Sequence, residues 1–395
     1  MDRHTVEPRP GWESTIEAQG LVYWRTDLPD GGQISYWDER HHYSVTGAEV
    51  YEMEAAARVL MEQLVEAGDH VIEHHLFDQL GIPAWAVPKI KETWESEPPM
   101  VYGRFDFAYA ADGHLKLLEY NADTPTCLLE TAVQWHWMRD VYGEGGDQWN
   151  RVHEALVERW QELREGLRLP DGHVHFLHTS AERSGEDFMT LGYLVETARQ
   201  AGLKATILPI EQLGLLEDEG FVDLDGELVR TAFKLYPWEW MASERFFGEA
   251  VARMGDGRGQ TQWIEPIWKM LWSNKGILPI LWKLFPGHPN LLPAWFADEV
   301  PDGVRDYVRK PLLAREGANT QVVIGGELAA QGPDQDYGGE GFVVQEYVDL
   351  GEYDGARPVL GVWTVDMEPV GLGIRESDGL ITDNLSRFVP HVLVG

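Results

Sequence analysis

The sequence predicts an α/β (or α+β) protein of two or three lobes, and three stretches carry that expectation. Residues 103–126, GRFDFAYAADGHLKLLEYNADTPT, alternate apolar and polar side chains on either side of a tight turn, as a β-hairpin does. From HVHFLHTS at 173 to LKATILPI at 203–210 the chain reads strand, helix, strand, the unit of a parallel sheet. Residues 305–395 are rich in short apolar strands.

Taken in order, residues 1–50 mix aromatic and turn residues (LVYW, TDLPDGG, ISYWDERHHYSVT) and read as short strands or irregular structure. Glu49 to Glu66 has helical composition and spacing and extends toward His75, with Ser44 or Thr46 as its cap. A shorter helix is expected between Pro83 and Pro88, and another over KIKETWESE before Pro98. After the hairpin, residues 128–167 read as two helices around a glycine-rich break at 143–146. Asp187 to Ala201 is the crossover helix of the small α/β segment, followed by a hairpin-like LEDEGFVDLDGELVR. Residues 260–300 predict two apolar, Trp-rich helices broken by prolines, with SNKG at 273–276 between them.

Composition bounds the function. The chain has 395 residues, enough for a large core, and is 44% hydrophobic and 11% aromatic, which describes a globular protein. A net charge of −34 argues against a phosphate-neutralising nucleic-acid surface and is compatible with a polycationic ligand such as a polyamine. The single cysteine, Cys127, excludes an intrachain disulfide. The N-terminus lacks the apolar core of a signal peptide and no apolar run approaches membrane-span length, so cytoplasmic residence without a membrane partner is the expectation.

Folding the hairpin about Asp112-Gly113 sets Ala108 opposite Leu117, Asp106 opposite Glu119 and Arg104 opposite Asn121. Phe105, Phe107 and Tyr109 then share an apolar face with Leu118 and Tyr120. Like charges directly opposite one another destabilise a sheet. A hard cation resolves the conflict, because Mg²⁺ takes oxygen ligands from carboxylates, amides and phosphates. The alternative is a solvated sheet face on which Arg104 neutralises two surface carboxylates.

A second stretch, DYVRKPLLAREGANTQVVI, carries Lys310 near a strand end and Gly317 in the loop beyond it. Glycine lets backbone N–H groups approach phosphate, and lysine adds a point charge. A hairpin with a flexible tip reads the same way. No GxxxxGK[ST] loop occurs, and GLGIRE at 371–376 is not a dinucleotide fingerprint. Lys275, in an apolar segment, needs a partner such as a phosphate, or reaches solvent.

Together GRFDF (103–107), LLEYNADTPT (117–126), SNKGILPILWKLFPGHPNLLPA (273–294), YVRKPLLAREGAN (307–319), QEYV (345–348) and GLGIRES…LITDNLSRFVPH (371–391) resemble the synthetase domain of the glutathionylspermidine synthase family, among the ATP-grasp ligases. The resemblance runs along essentially the whole chain and implies a stand-alone synthetase without the amidase domain of bifunctional members. It implies ATP and Mg²⁺, and small-molecule carboxylate and amine substrates (a glutathione-like peptide and a polyamine or other amine) joined through an acyl phosphate. By resemblance Asp106, Glu119 and Asn121 ligate Mg²⁺, and Arg104 stabilises the transferring phosphoryl group. Lys275 and Lys310 contact nucleotide phosphates, and Glu316 and Gly317 lie in the closing loop. Gln345, Glu346, Tyr347 and Val348 line the adenine, and Leu372, Gly373 and Ile374 return to the nucleotide beside Arg375. Thr124 and Thr126 stand where the family has serines that hold the peptide, and Glu186 and Asp187 resemble its acidic pair near the peptide's amino group. Asp187 also has a structural explanation as a helix N-cap.

The resemblance further implies a circularly permuted ATP-grasp fold. A helical N-terminal region and the metal hairpin (1–170) join C-terminal strands (351–395) in one catalytic lobe. A small pre-ATP-grasp-like α/β lobe (171–260) and a nucleotide-binding lid (261–350) complete it. The alternatives are a catalytically inactive nucleotide-binding regulator and a thiol hydrolase using Cys127 and His136. Retention of all four polar hairpin residues argues against the first. The second lacks an orienting third group. The histidine pairs at 41–42 and 74–75 show no metal-ligand spacing.

Overall fold

The hairpin strands Tyr102–Tyr109 and Leu115–Asn121 form one side of a five-stranded antiparallel sheet. Tyr102–Tyr109 also pairs with Arg357–Val365, which pairs with Glu368–Ser377 and then Arg387–Val389. Segments more than 230 residues apart in sequence thus share one sheet. The chain is described by a computed structural model over all residues except 29, 30, 183 and 245. It is a mixed α/β protein.

The turn forms as its residues dictate. Gly113 takes φ +84°, and its N–H donates to the Ala110 carbonyl at 2.8 Å. Arg104 pairs with Asn121 and Asp106 with Glu119, as expected. The third expected pair does not form. A bulge follows Asp106, so Phe107 pairs with Leu117 and Ala108 with Lys116. Leu118 is the extra residue. It turns to a cleft instead of joining Tyr120 in the core, while Leu117 is buried there.

The core under this sheet is built by Gly47–His74, a 28-residue helix. Thr46 caps it, accepting from the Glu49 N–H while the Glu49 carboxylate accepts from the Thr46 N–H. Ser44 instead lies in the strand His41–Thr46 and bonds His4. Met53, Ala57, Leu60, Leu64 and Val71 form the helix's buried stripe and pack with Phe105, Phe107 and Tyr120.

A four-stranded parallel sheet runs Gln262–Ile264, Thr231–Lys234, His173–His178, Lys204–Pro209, with Glu186–Gln200 as the crossover helix between the last two strands. A third sheet, antiparallel, runs Ala294–Phe296, Phe342–Glu346, Tyr307–Pro311, Gln321–Ile324, Glu327–Gln331. The N-terminal strand Asp2–Thr5, His41–Thr46 and the C-terminal His391–Val394 make a fourth.

Local expectations failed in three places. Trp12–Ala18 is a helix. No helix lies between Pro83 and Pro88; one helix, Val87–Ser96, takes Pro88 into its first turn, where the missing N–H costs nothing. The first Trp-rich segment is the 3₁₀ turn Ile267–Leu271, and only Ile277–Leu284 is α-helical. Glu327–Gln331 is an exposed edge strand without an alternating pattern to reveal it. Among the described residues, no helix is long and apolar enough to cross a membrane.

Candidate active site

Arg104 and Asp106 stand two residues apart on one strand and so share a face. The guanidinium grips the carboxylate twice, Nε to Oδ1 at 2.6 Å and Nη2 to Oδ2 at 3.0 Å. Its Nη1 donates to the Thr126 carbonyl. Arg375 donates from Nη2 to Asp106 Oδ2 at 2.7 Å. From the opposite strand Asn121 Nδ2 reaches Asp106 Oδ2 and Glu119 Oε1, each at 3.3 Å. The four hairpin residues therefore converge. Asp106 and Arg104 are nearly inaccessible, at 2% and 3% exposure, so the solvated-surface alternative fails.

The facing wall carries two lysines. Lys275 lies 3.1 Å from Glu119 Oε2 and donates to the Ala314 carbonyl at 2.8 Å. Lys310 donates to Gln345 Oε1 at 2.8 Å and to the Leu118 carbonyl at 3.1 Å, and Gln345 Nε2 donates to the Leu117 carbonyl at 3.1 Å. The bulge takes these carbonyls out of the regular ladder, and the third sheet collects them. Burial raises the Glu119 carboxyl, but Lys275, Lys310 and Arg375 outweigh it and hold the group well below the usual carboxylate range. Burial lowers the Lys310 ammonium to about 8, against the pull of Glu119.

Between these walls is a cleft lined by charged side chains (Asp106, Glu119, Lys275, Lys310, Arg375) and by apolar ones that include Leu292, Val308, Val348 and Val359. Glu316, Gly317 and the run from Gln345 to Val348 line it. Gly317 takes φ +67°, and a Cβ there would stand 2.6 Å from Ile381 Cγ2 and 3.0 Å from the Thr382 carbonyl. Its lack of a side chain lets the loop dock on residues 381 and 382. Leu372, Gly373 and Ile374 do not reach the cleft. They occupy the middle of a sheet, with Leu372 and Ile374 in the core and Gly373 closed against Thr131 and Phe388. The next residue, Arg375, is the one that lines the cleft.

Thr124 and Thr126 lie behind Arg104, outside this lining. The Thr124 hydroxyl accepts from Arg315 Nη2, and Arg315 also lies 5.1 Å from the Trp240 ring centroid. Glu186 and Asp187 sit in the first turn of the helix Glu186–Gln200. Asp187 is not its N-cap, because the helix starts one residue earlier, after Gly185 in a left-handed conformation. Burial, then Glu130, Asp187 and Glu316, pushes Glu186 up to about 8. Burial and Glu182 push Asp187 up to about 6. Sequence reasoning missed Arg315 as a bridge. Thr124 is 191 residues away, and no local pattern links the two.

Cys127 is buried, its Sγ 3.3 Å from the Tyr36 hydroxyl, and burial raises the thiol to about 11. It is a thiol at neutral pH, not a nucleophile. Among the described residues, no group of three or more His, Cys, Asp or Glu is placed to hold a metal ion. The donor set at the hairpin is two carboxylates and one amide.

A sequence model of the family described as glutathionylspermidine synthase preATP-grasp matches residues 3–394. A putative acid–amine ligase of Haemophilus influenzae is 36% identical over 405 residues, covering 100% of both chains. Trypanothione synthetase of Crithidia fasciculata is 32% identical over 411 residues, covering 96% of this chain and 59% of its own length; the chain thus spans about six-tenths of that relative. A solved glutathione synthetase-like effector from Globodera pallida matches with a TM-score of 0.56 at 12% identity, covering 97% of this chain and 98% of its own, a likeness of fold.

Proposed function

The chain belongs to the glutathionylspermidine synthase preATP-grasp family, and we propose that it is an ATP-dependent ligase that joins a carboxylate to an amine through an acyl phosphate. The carrying observation is the facing of Asp106 and Glu119, held from behind by Arg104 and Asn121, by Lys275 and Lys310 across one cleft. The substrates proposed are a glutathione-like peptide carboxylate and a polyamine or other amine. The lobes are proposed as a circularly permuted ATP-grasp arrangement, with residues 1–170 and 351–395 forming the catalytic lobe.

In this reading the adenine lies beside Gln345–Val348, and the phosphates lie beside the charged side chains of the cleft. Lys275 and Lys310 approach from the lid side, and Glu316 and Gly317 close the loop above. Two carboxylates and an amide suit Mg²⁺, which keeps several non-protein oxygens. Asp106, Glu119 and Asn121 would hold it, the Asn121 amide turning its oxygen inward. When bound, it neutralises phosphate charge. Arg104 uses three of its five N–H donors on Asp106 and Thr126, which fixes its plane and leaves two for an anion. A cation fixed before reaction stabilises developing phosphoryl charge without reorganising. Arg375, tied to the same carboxylate, adds a second.

The test replaces the amine by hydroxylamine. With Mg·ATP and the correct carboxylate, an acyl phosphate is trapped as a hydroxamate with equal release of ADP. Absence of hydroxamate and of ADP with glutathione and a panel of γ-glutamyl peptides overturns the reading.

A further inference from the structure

The helices Leu128–Tyr142, Val152–Glu165 and Glu186–Gln200 meet around a second cavity, of about 380 Å³, which shares no lining residue with the cleft at the hairpin. Its lining includes Trp135, His136, Asn150, His153, Glu154 and Tyr193, and no lysine or arginine is among its described residues. The hydrogen bonds fix what each polar group still offers. Gln200 Nε2 donates to Glu196 Oε1 at 3.0 Å, so its Oε1 is the atom that meets His153 Nε2, at 3.1 Å, and that nitrogen carries a hydrogen. In the neutral imidazole Nδ1 then accepts from the Tyr193 hydroxyl at 3.1 Å, which leaves the phenol oxygen as an acceptor. Burial and the nearby Glu154 raise the Tyr193 phenol, so it keeps its proton. Asn150 Nδ2 donates to the Thr131 carbonyl at 2.6 Å and to Gln148 Oε1 at 3.5 Å, so its donors are committed and Oδ1 is left over. Glu154 lies in the first turn of Val152–Glu165, and among the described residues its carboxylate has no ion-pair partner. Arg151, just before it in the chain, turns instead to Glu158 at 3.3 Å. Trp135 keeps 38% of its surface exposed.

The groups left over are two neutral oxygens, one carboxylate and the aromatic faces of Trp135 and Tyr193. His136 donates or accepts according to its tautomer. A place near a helix N-terminus accounts for an acid at 154. It does not account for a cavity whose other polar groups have spent their donors elsewhere. An anion meets Glu154 and no cation. Water can donate to the oxygens but leaves the carboxylate without a countercharge. An aliphatic ammonium supplies N–H donors to the oxygens, a positive charge to Glu154 and a cation to the ring faces. We propose that this cavity is a second binding site for a small aliphatic amine in its ammonium form, separate from the catalytic cleft. The proposal does not depend on the ligase reading, and none of the residues placed in that reaction lies here.

The test is a titration of the ¹⁵N-labelled whole chain with butane-1,4-diamine, and with butane-1,4-diol as a probe of like length without charge. The signal followed is the Trp135 indole N–H, identified as the resonance that Trp135→Phe removes. The diamine should shift it saturably, the diol should not, and the shift should persist with Mg·ATP present. Glu154→Gln, a change at an exposed position, should weaken the diamine by about three- to fivefold, the scale of an exposed ion pair, and leave ADP formation unchanged. No shift, an equal shift with the diol, equal affinity in Glu154→Gln, or loss of the shift on adding Mg·ATP each overturns the site. A shift that rises without saturating overturns it too, because that is diffuse attraction to an acidic surface.

Discussion

Asp123 Oδ1 and Lys234 Nζ lie 2.5 Å apart, with 3% and 0% side-chain exposure, and join the loop behind the hairpin to the C-terminal end of a parallel strand. The second Asp123 oxygen accepts from the Trp238 N–H at 3.0 Å, and Lys234 stands 4.5 Å from the Trp238 ring centroid. Asp123 directly precedes Thr124. Removing one member of a buried pair strands the other charge at a cost of about 3–5 kcal/mol. Asp123→Asn and Lys234→Met should each lower the urea midpoint accordingly, and the double variant should recover part of the loss. Equal, additive losses would show that the two groups are not coupled.

That pair also marks the limit of what the sequence conveys. Alternation and a turn glycine were enough to place Arg104, Asp106, Glu119 and Asn121 on one face. The bulge was not legible, because Leu117 and Leu118 are both apolar and a shift of one leaves the pattern unchanged. The run from Leu372 to Ile374 reads equally well toward either face, and only the sheet order puts it at the centre. Lys234 meets Asp123 across 111 residues, and no local pattern encodes such a contact.

Asp106 and Glu119 separate by stability as well as by activity. Asp106 is the shared partner of two arginines, whereas Glu119 meets Lys275 at 3.1 Å and is half-buried. Glu119→Gln and Asp106→Asn should each cut ADP formation by about 10²–10³ or more, the scale of losing a fixed electrostatic group. Only Asp106→Asn should also lower the melting temperature strongly, because Arg104 and Arg375 are left unpaired. Full turnover in both variants would sink the metal assignment.

Gly317→Ala should act on the nucleotide and little else. Alanine at φ +67° costs about 1–2 kcal/mol, and its methyl would overlap Ile381 and the Thr382 carbonyl. The loop then docks poorly, so the KM for ATP should rise by about tenfold with the melting temperature nearly unchanged. An unaltered KM for ATP would show that loop docking and nucleotide binding are independent.

Glu186 should make stability fall as pH rises. Its folded-state pKa is about 8 against an ordinary 4.5, so between those values the folded chain holds a proton that the unfolded chain has released. Unfolding then releases that proton, and by linkage stability declines as pH rises from about 4.5 to about 8 and levels off beyond. The sign is that of a raised carboxyl, opposite to the usual salt-bridged acid. Glu186→Gln removes the ionisation, so the variant should gain melting temperature relative to wild type at about pH 9 and show no gain at about pH 4. Melting curves across this range for both proteins decide it, and parallel curves for wild type and Glu186→Gln would show that Glu186 ionises in the fold as it does in water.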